Sequence, residues 1–212
     1  MQRATGTVTT LRQTWLAEGR VDVPPEAIDP ELWDDLASES DRCEKVAVVR
    51  HNQRPGMLVM RDGSITSPQR CLVHPGGSAL NALARSKVLA DIASEATGLA
   101  HLTPIRFGFK YYSPDDYMHA HLDDGKCDIT FSTGLTPNLG PMGWLPNLRH
   151  LTPQQVADRL GDTPYPQGGE EFPIWHRRLS GFDGRRIPHW RPPLDSPSRE
   201  VLITVCFSDL SV

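Results

Sequence analysis

Alternating apolar and polar side chains in the second half of the chain predict β-strands. In residues 105–112, 128–133 and 201–207, every second side chain is apolar, which is the period of a strand with one buried face. Two shorter apolar runs, residues 45–50 and 57–61, are interpreted as further strands, and an Asp-Gly turn signal follows the second run. The pattern predicts a mainly β protein.

The clearest helix signal lies between the early strands and the later ones. Apolar residues recur at helical spacing from Ser78, a suitable N-cap, to Gly98, a suitable terminator, so one helix is expected there. A second helix is expected from Thr152 to Leu160, inside a Pro- and Gly-rich insertion over residues 137–172. Long loops inside a domain are usually functional. The insertion is therefore interpreted as a lid or a substrate-facing segment.

The composition fits one domain, with residues 1–43 as an N-terminal lead-in. The chain has 212 residues, of which 38% are hydrophobic and 23% charged, enough to bury a core. The net charge of −4 argues against an extended nucleic-acid surface. No apolar run reaches the roughly 20 residues that span a bilayer. Residues 1–20 lack a signal-peptide hydrophobic region. We therefore expect a cytoplasmic protein that binds neither nucleic acid nor a membrane.

The four cysteines of the chain are widely scattered. Cys43, Cys71, Cys127 and Cys206 include no Cys-x-x-Cys pair. In a reducing compartment such residues are buried or inert thiols, and we interpret them so.

Candidate metal ligands lie in two separate blocks of the β-rich half. His121 and Asp123 are two residues apart, so on a strand both side chains point to one face. His189 is the best placed third ligand in the sequence. Two imidazoles and one carboxylate leave three positions of an ion open, which is typical of mononuclear iron oxygenases. Arg199 shares strand parity with Val201, which we expect to face inward, and a guanidinium there needs a carboxylate partner.

The order and spacing of these residues resemble the Fe(II)/2-oxoglutarate-dependent dioxygenase superfamily, specifically its prolyl-4-hydroxylase-like branch. That branch has a tyrosine-containing strand, a polar turn and a His-x-Asp pair, then a later histidine followed ten residues on by Arg or Lys. Residues 112–123 and 189–207 match these two blocks. The resemblance covers about residues 103–208. It implies a mainly β protein with flanking helices and a double-stranded β-helix, or jelly-roll, core.

The resemblance also implies cofactors and residue roles. Fe(II), 2-oxoglutarate and O₂ are the implied cofactors. The implied iron ligands and catalytic residues are His121, Asp123 and His189, with Arg199 as the partner of the 2-oxoglutarate C5 carboxylate. A tyrosine usually helps to hold that carboxylate. Family spacing favours Tyr112, whereas strand parity with the neighbouring phenylalanines favours Tyr111, and the sequence leaves both open.

Two departures from the family pattern matter. Asp115 stands where the turn before the His-x-Asp pair usually has Gly. His119 would share a face with His121 on a regular strand. These two histidines with His189 could instead form a three-histidine site of cupin or zinc type. Otherwise His119 is a group that faces the substrate or supports a ligand.

The implied reaction is hydroxylation of an unactivated C–H bond. Related halogenases replace the carboxylate ligand with Gly or Ala to make room for halide. Asp123 therefore favours hydroxylation, or another oxidative outcome such as desaturation. A hydroxylase that modifies proteins or peptides and a non-catalytic jelly-roll binding protein are the alternatives.

Arginines and tryptophans around the distal motif suggest the substrate. These residues are Arg177, Arg178, Arg185, Arg186, Arg191, Trp175 and Trp190. One interpretation is that these arginines are solvated surface residues. The other is a pocket for an anionic or zwitterionic small molecule, such as an amino acid or a specialised-metabolite precursor. The candidate substrate residues are His119, Arg185, Arg186 and Trp190. The sequence does not determine the oligomeric state.

Overall fold

The architecture is a curled antiparallel sheet with helices against one face. The computed structural model describes residues 10–54, 56–195 and 197–211. In these ranges the helices are α1 (Leu11–Glu18), α2 (Pro30–Glu44), α3 (Ser78–Ala84), α4 (Lys87–Thr97) and α5 (Pro153–Leu160). None of the described helices is long and apolar enough to cross a bilayer.

The strands lie mostly in the second half of the chain. They are β1 (Arg20–Asp22), β2 (Val48–Asn52), β3 (Leu58–Val59), β4 (Ile65–Thr66), β5 (Gln69–His74), β6 (Leu102–Tyr112), β7 (Tyr117–His121), β8 (Ile129–Gly134), β9 (Met142–Trp144), β10 (Glu170–Phe172), β11 (Ser180–Phe182), β12 (His189–Arg191) and β13 (Glu200–Asp209). The five strands predicted from the apolar pattern are confirmed, with ends shifted by a few residues.

Within the described residues, 11 strands form one sheet in the order β1-β11-β8-β13-β6-β5-β7-β12-β9-β10, and β2 pairs with the outer edge of β5. We call β1, β11, β8, β13 and β6 the helix-covered wall, and β5, β7, β12, β9 and β10 the second wall. Strands β3 and β4 form a separate hairpin. The curled sheet with flanking helices confirms the predicted fold class and its jelly-roll core.

Helices α1 to α4 pack on the outer face of the helix-covered wall. The buried residues of this interface include Trp15, Trp33, Leu36, Leu80 and Leu89 from the helices and Phe109, Tyr111, Ile203 and Val205 from the strands. Burial of such side chains is the main stabilising contribution in a domain of this kind. Residues 10–43, predicted as a lead-in, supply α1 and nearly all of α2 and belong to this core. Residues 1–9 of that predicted segment lie outside the described residues.

The predicted helix from Ser78 to Gly98 is two helices. The Ser86 hydroxyl accepts a hydrogen bond from the Leu89 backbone N–H and caps α4, which separates it from α3. Ser78 does not cap α3; the carboxylate of Glu39 on α2 does. It accepts hydrogen bonds from the backbone N–H groups of Gly77, Ala79 and Leu80 at 2.9–3.0 Å. A sequence pattern does not reveal such a cap, because the accepting residue, Glu39, lies about forty positions away from α3.

The Pro- and Gly-rich insertion, residues 137–172, supplies β9 and β10 to the second wall, and its middle part packs on the outer face of that wall. Its helix α5 begins at Thr152 with the predicted capping box to Gln155, so that helix is confirmed. Val156 of α5 packs against the β3–β4 hairpin, and Leu145 and Leu148 pack against Trp190 and Ala120. The insertion therefore supports the second wall and the hairpin from outside.

One pair of cysteines differs from expectation. Cys127 and Cys206 form a disulfide, with Cα atoms 5.5 Å apart, that links the segment after β7 to β13. The prediction that all four cysteines are thiols is wrong, because the antiparallel pairing of β8 and β13 brings these two distant positions together. Cys43 and Cys71 are free and buried.

Candidate metal centre

The fold brings the three predicted metal ligands together. His121 ends β7, His189 begins β12, and the two residues lie opposite each other in the antiparallel register. Asp123 follows β7, with its Oδ1 atom 3.9 Å from His121 Nε2 and 3.7 Å from His189 Nε2. The candidate ligand atoms of all three residues lie within 4.8 Å of one another. This is the two-imidazole, one-carboxylate donor set that the sequence predicted.

Neighbouring groups fix the orientation of each ligand. The Nδ1 atoms of His121 and His189 each lie 3.0 Å from a backbone carbonyl, that of His119 and of Ile187, so both Nε2 atoms face the centre. Asp123 accepts a hydrogen bond from the Thr130 hydroxyl at 2.7 Å. Such outer contacts hold ligands ready for an ion.

Close backbone packing also positions the carboxylate. The backbone N–H of Asp123 donates to the carbonyl of Gly184 at 2.9 Å. A Cβ atom at Gly184 would overlap the Asp123 Oδ2 atom, so this position requires glycine. Nothing in the local sequence of Gly184 marks it as a neighbour of Asp123, so its role follows from the structure alone.

The site favours the protonation states that a metal ion needs. Burial, together with the neighbouring His189, lowers the pKa of His121 from its usual 6.5 to about 3. Burial likewise lowers the pKa of His189. Burial alone would raise the pKa of Asp123, but the two histidines outweigh it and hold that pKa below its usual value. The imidazoles are thus neutral and the carboxylate ionised at neutral pH, as metal ligands must be.

His119 is not part of the metal-ligand group. Strand β7 has one extra residue where it pairs with β12: His121 lies opposite His189, whereas Met118 lies opposite Arg191. This bulge reverses the parity of β7. The His119 ring instead contacts Tyr117 and Tyr165, with ring centroids 4.8 and 5.3 Å away. A three-histidine site is therefore not formed by these residues.

A cavity of about 300 Å³ opens in front of the three ligands, between the two walls. Its apolar lining includes Leu122, Met142, Phe182 and Leu202. Residues 64–67 and Gln69, in and after the β3–β4 hairpin, contribute to the lining, and exposed Met60 lies in the same hairpin. Of the described residues in the 137–172 insertion, Met142 alone borders the cavity. The contribution of the hairpin could not be predicted from the sequence, because a short turn signal does not show which part of the fold the hairpin packs against.

The face of β13 that meets the cavity is opposite to the one expected. Leu202, Thr204 and Cys206 line the cavity, whereas Val201 and Ile203 face the helices. The prediction that Val201 faces inward is wrong, because the helical layer provides a second apolar core that buries the other parity.

Arg199 lies outside the cavity. Its side chain is 38% exposed, forms an ion pair with Glu44 of α2 and donates to the Ser113 hydroxyl at 3.3 Å. The expected uncompensated charge is therefore neutralised by a helix that the sequence reasoning had not placed here. The structure corrects the expectation that this guanidinium points at the metal centre.

The two candidate tyrosines lie on opposite faces of β6. Tyr112 lines the cavity. Tyr111 is buried among the helices and donates a hydrogen bond to the Ser40 carbonyl at 2.8 Å. Burial raises the pKa of Tyr111 to about 12 and the pKa of Tyr112 further still, so both stay protonated. Of the two, Tyr112 is the one placed to meet a molecule in the cavity.

Four basic residues border the cavity, and none of them was predicted from the sequence to belong to the metal site. They are Arg50, Arg106, Lys110 and Arg191. Arg106 forms an ion pair with Asp124 at 2.8 Å. Lys110 shares a face of β6 with Tyr112, and its register partner on β13 is the cavity-lining Leu202. Strand parity with Tyr112 was the signal that could have identified Lys110.

The predicted substrate residues are mostly engaged elsewhere. Arg185 forms an ion pair with Asp128 at 2.7 Å, and Arg186 forms one with Asp183 at 2.8 Å. Neither arginine borders the cavity, nor does His119. Trp190 borders the cavity but is 7% exposed and packs in the cluster on the outer face of the second wall. The flanking Arg177 and Arg178 pair with acidic residues of α2 and β1.

No protein-family model matches the chain, and no curated protein matches it in sequence. Solved structures match it in fold. The non-heme α-ketoglutarate-dependent epimerase SnoN from nogalamycin biosynthesis has a TM-score of 0.69 at 15% identity, over 94% of this chain and 82% of that one. HygX from Streptomyces hygroscopicus, with nickel, 2-oxoglutarate and hygromycin B bound, has a TM-score of 0.64 at 11% identity, over 93% and 85%. A Pseudomonas putida prolyl-4-hydroxylase has a TM-score of 0.59 at 14% identity, over 93% and 96%. At these identities the likeness shows a shared fold.

Proposed function

We propose that the chain is an Fe(II)- and 2-oxoglutarate-dependent oxygenase that hydroxylates a C–H bond of a small molecule. The observation that carries the proposal is the convergence of His121, Asp123 and His189 beside an open cavity inside a jelly roll. The shared fold supports it, because SnoN depends on α-ketoglutarate and HygX holds 2-oxoglutarate. A fold alone does not carry a function, so the donor set of the site is the decisive part.

The residues present fit a ferrous ion. The Nε2 atoms of His121 and His189 and the Oδ1 atom of Asp123 are close enough together to hold one ion, and all three residues border the cavity. With Fe(II) bound, 2-oxoglutarate and O₂ supply the oxidising chemistry and yield succinate and CO₂ beside the hydroxylated product. The protein's task is to orient both small molecules and keep water away.

Lys110, rather than Arg199, is the residue we propose for the C5 carboxylate of 2-oxoglutarate. It borders the cavity and forms no hydrogen bond or ion pair with another residue in the described part of the chain. Its charge contributes to the shifted pKa values of His121, Asp123 and His189, which places the ammonium group near the metal site. Tyr112 lies on the same face of β6 and adds a hydroxyl donor.

Asp123 bears on the outcome of the reaction. Thr130 and Gly184 hold this carboxylate in place, so it occupies a metal position that related halogenases leave free for halide. We therefore propose hydroxylation. Apolar side chains around the open positions, among them Phe182, Leu122 and Met142, exclude water from the reacting bond.

The proposed substrate is an anionic or zwitterionic small molecule, such as an amino acid or a specialised-metabolite precursor. The cavity volume of about 300 Å³ lies at the lower end of the range typical for small-molecule sites. SnoN from nogalamycin biosynthesis and HygX with hygromycin B provide precedents for small-molecule substrates in this fold.

An anaerobic titration tests the proposed cofactors. Adding Fe(II) and 2-oxoglutarate to the apoprotein should produce the weak visible charge-transfer band of the chelate. The band should be absent from Asp123→Ala and retained in Asp158→Ala, a matched change at an exposed position on α5. A wild-type protein that binds neither Fe(II) nor 2-oxoglutarate would instead be a jelly-roll binding protein without oxidative activity.

A further inference from the structure

Four side chains form a row across the neighbouring strands β2, β5, β7 and β12. Gln69 on β5 lies opposite Met118 on β7, and Met118 lies opposite Arg191 on β12. Arg50, on the outermost strand β2, lies opposite Cys71, two residues along from Gln69. All four members of the row border the cavity. Three interstrand spacings and a two-residue offset along β5 separate Arg50 from Arg191, roughly 16 Å between backbones.

The two arginines at the ends of this row have no carboxylate partner among the described residues. Arg50 is exposed and forms no ion pair or hydrogen bond through its side chain. Arg191 is 3% exposed; its Nη1 atom donates to the carbonyls of Leu139 at 2.8 Å and Gly140 at 3.4 Å. Its Nη2 atom is buried without a hydrogen-bond partner among the described residues, and the guanidinium carbon lies 5.5 Å from the centroid of the Tyr112 ring. A buried guanidinium N–H without an acceptor is costly, so an anionic group that accepts from it would be stabilised at this position.

The charges around the cavity leave a surplus of cations. Arg106 is neutralised by Asp124, and Asp123 belongs to the metal centre. Lys110, Arg50 and Arg191 share one region of the lining, and none of them forms an ion pair with a carboxylate among the described residues. Burial lowers the pKa of Lys110, and the nearby Asp123 opposes that shift. Under the proposed function, the C5 carboxylate of 2-oxoglutarate neutralises one of these three cations, Lys110. Two cations remain.

We propose that the substrate carries a carboxylate or phosphate group and that this group binds over Gln69, between Arg50 and Arg191. A guanidinium matches the oxygens of either group through paired N–H donors, which favours arginine over lysine at such a site. The Gln69 amide provides further donors along the same row. Exposed Arg50 also attracts an anion to the entrance from solution. This inference rests on the proposed function for the assignment of Lys110, and it names the part of the substrate that the second wall recognises.

Simple anions test this site without knowledge of the substrate. Protein loaded anaerobically with Fe(II) and 2-oxoglutarate is titrated with inorganic phosphate, with acetate and with neutral acetamide, and binding is followed by calorimetry. The test variant is Arg50→Ala, since Arg50 is exposed and its truncation leaves the core intact. The matched control is Arg54→Ala, which removes the same charge from an exposed position outside the cavity lining.

We expect phosphate or acetate to bind the wild type, and acetamide not to bind. The tighter of the two anions identifies the substrate group as phosphate or carboxylate. In Arg50→Ala the dissociation constant of that anion should rise about tenfold or more, as for loss of a charged hydrogen-bonding partner. Arg54→Ala should match the wild type, and both variants should keep the wild-type affinity for 2-oxoglutarate.

Two results would overturn the inference: no anion binding by the wild type, or equal binding by wild type and Arg50→Ala. Failure of the proposed function looks different, because Fe(II) and 2-oxoglutarate then produce no charge-transfer band. An Arg50-dependent anion site in a protein without that band would leave the inference standing and reject the oxygenase.

Discussion

Thr130 holds the carboxylate of Asp123 in one orientation. The Thr130 hydroxyl donates to Asp123 Oδ2 at 2.7 Å, while the other carboxylate oxygen, Oδ1, lies 3.7 Å from His189 Nε2. The register of β8 explains the contact, since Thr130 lies opposite Cys206 on the cavity face of β13. One oxygen is thereby reserved for a metal ion and the other for the protein.

Replacing Thr130 with Val removes this hydrogen bond at nearly constant shape. We expect the affinity for Fe(II) to fall by about 10- to 100-fold, the usual effect of losing an outer contact to a ligand. Anaerobic calorimetry measures it. Ser132→Ala, on the same face of β8 and without a hydrogen bond to a ligand, is the control. If both variants bind Fe(II) like the wild type, Thr130 does not orient the ligand.

Substitutions of Lys110 and of Arg199 should affect the affinity for 2-oxoglutarate differently. Lys110→Met should weaken 2-oxoglutarate binding by about 10- to 100-fold, because a hydrogen bond to a charged group is lost. Arg199→Ala should leave it unchanged, because this side chain pairs with Glu44 outside the cavity. The concentration of 2-oxoglutarate that gives half of the charge-transfer band measures both. The reverse pattern would return the carboxylate-binding role to Arg199.

Glu39 stabilises the junction between α2 and α3. Burial opposes its ionisation, but three backbone N–H donors outweigh burial and lower its pKa. Glu39→Gln keeps the shape and removes the charge, so we expect a loss of about 2 kcal/mol in unfolding free energy. Urea unfolding measures it, with Glu95→Gln at an exposed position of α4 as the control. An equal loss of unfolding free energy in the two variants would mean that the charge of Glu39 does not stabilise the start of α3.

The apoprotein should lose stability as the pH falls. The folded-state pKa of His121 is about 3 against its usual 6.5, so below about pH 6.5 the unfolded chain binds a proton that the folded chain excludes. The contribution of His121 to the unfolding free energy is fully present above its unfolded-state pKa. It decreases as the pH falls from there toward the folded-state pKa. At about pH 5 the loss is about 2 kcal/mol for this histidine.

Urea unfolding of the metal-free protein at about pH 7.5 and about pH 5 tests this linkage. His121→Gln removes the titrating group, so its stability should change less between the two pH values than that of the wild type. Equal changes in the two proteins would show that His121 is not buried in its neutral form.

The sequence predicted the fold class and the convergence of the three candidate ligands because both depend on local order. Period-two alternation marks β6, β8 and β13 whatever packs on them, and a His-x-Asp pair brings two ligands to one place through chain geometry alone. His189 was identified by its spacing from a later basic residue. That residue, Arg199, directly precedes β13, as predicted, but it does not border the cavity.

The errors arose where packing between distant segments decides the outcome. The parity of β13 depends on which face the helices cover, and the orientation of His119 depends on one extra residue in β7. Lys110 and the Cys127–Cys206 disulfide depend on the pairing of β13 with β6 and β8. None of these relationships leaves a signal within a short window of sequence.

The central claim is that His121, Asp123 and His189 hold a catalytic iron. The most direct measurement is Fe(II)-dependent formation of succinate from 2-oxoglutarate in air, without added substrate, by the wild type and by His189→Ala. The wild type should form succinate slowly but at least about a hundredfold faster than the variant, because loss of one ligand removes the bound ion. Equal rates in the two proteins, or no succinate from an iron-loaded wild type, would contradict the account.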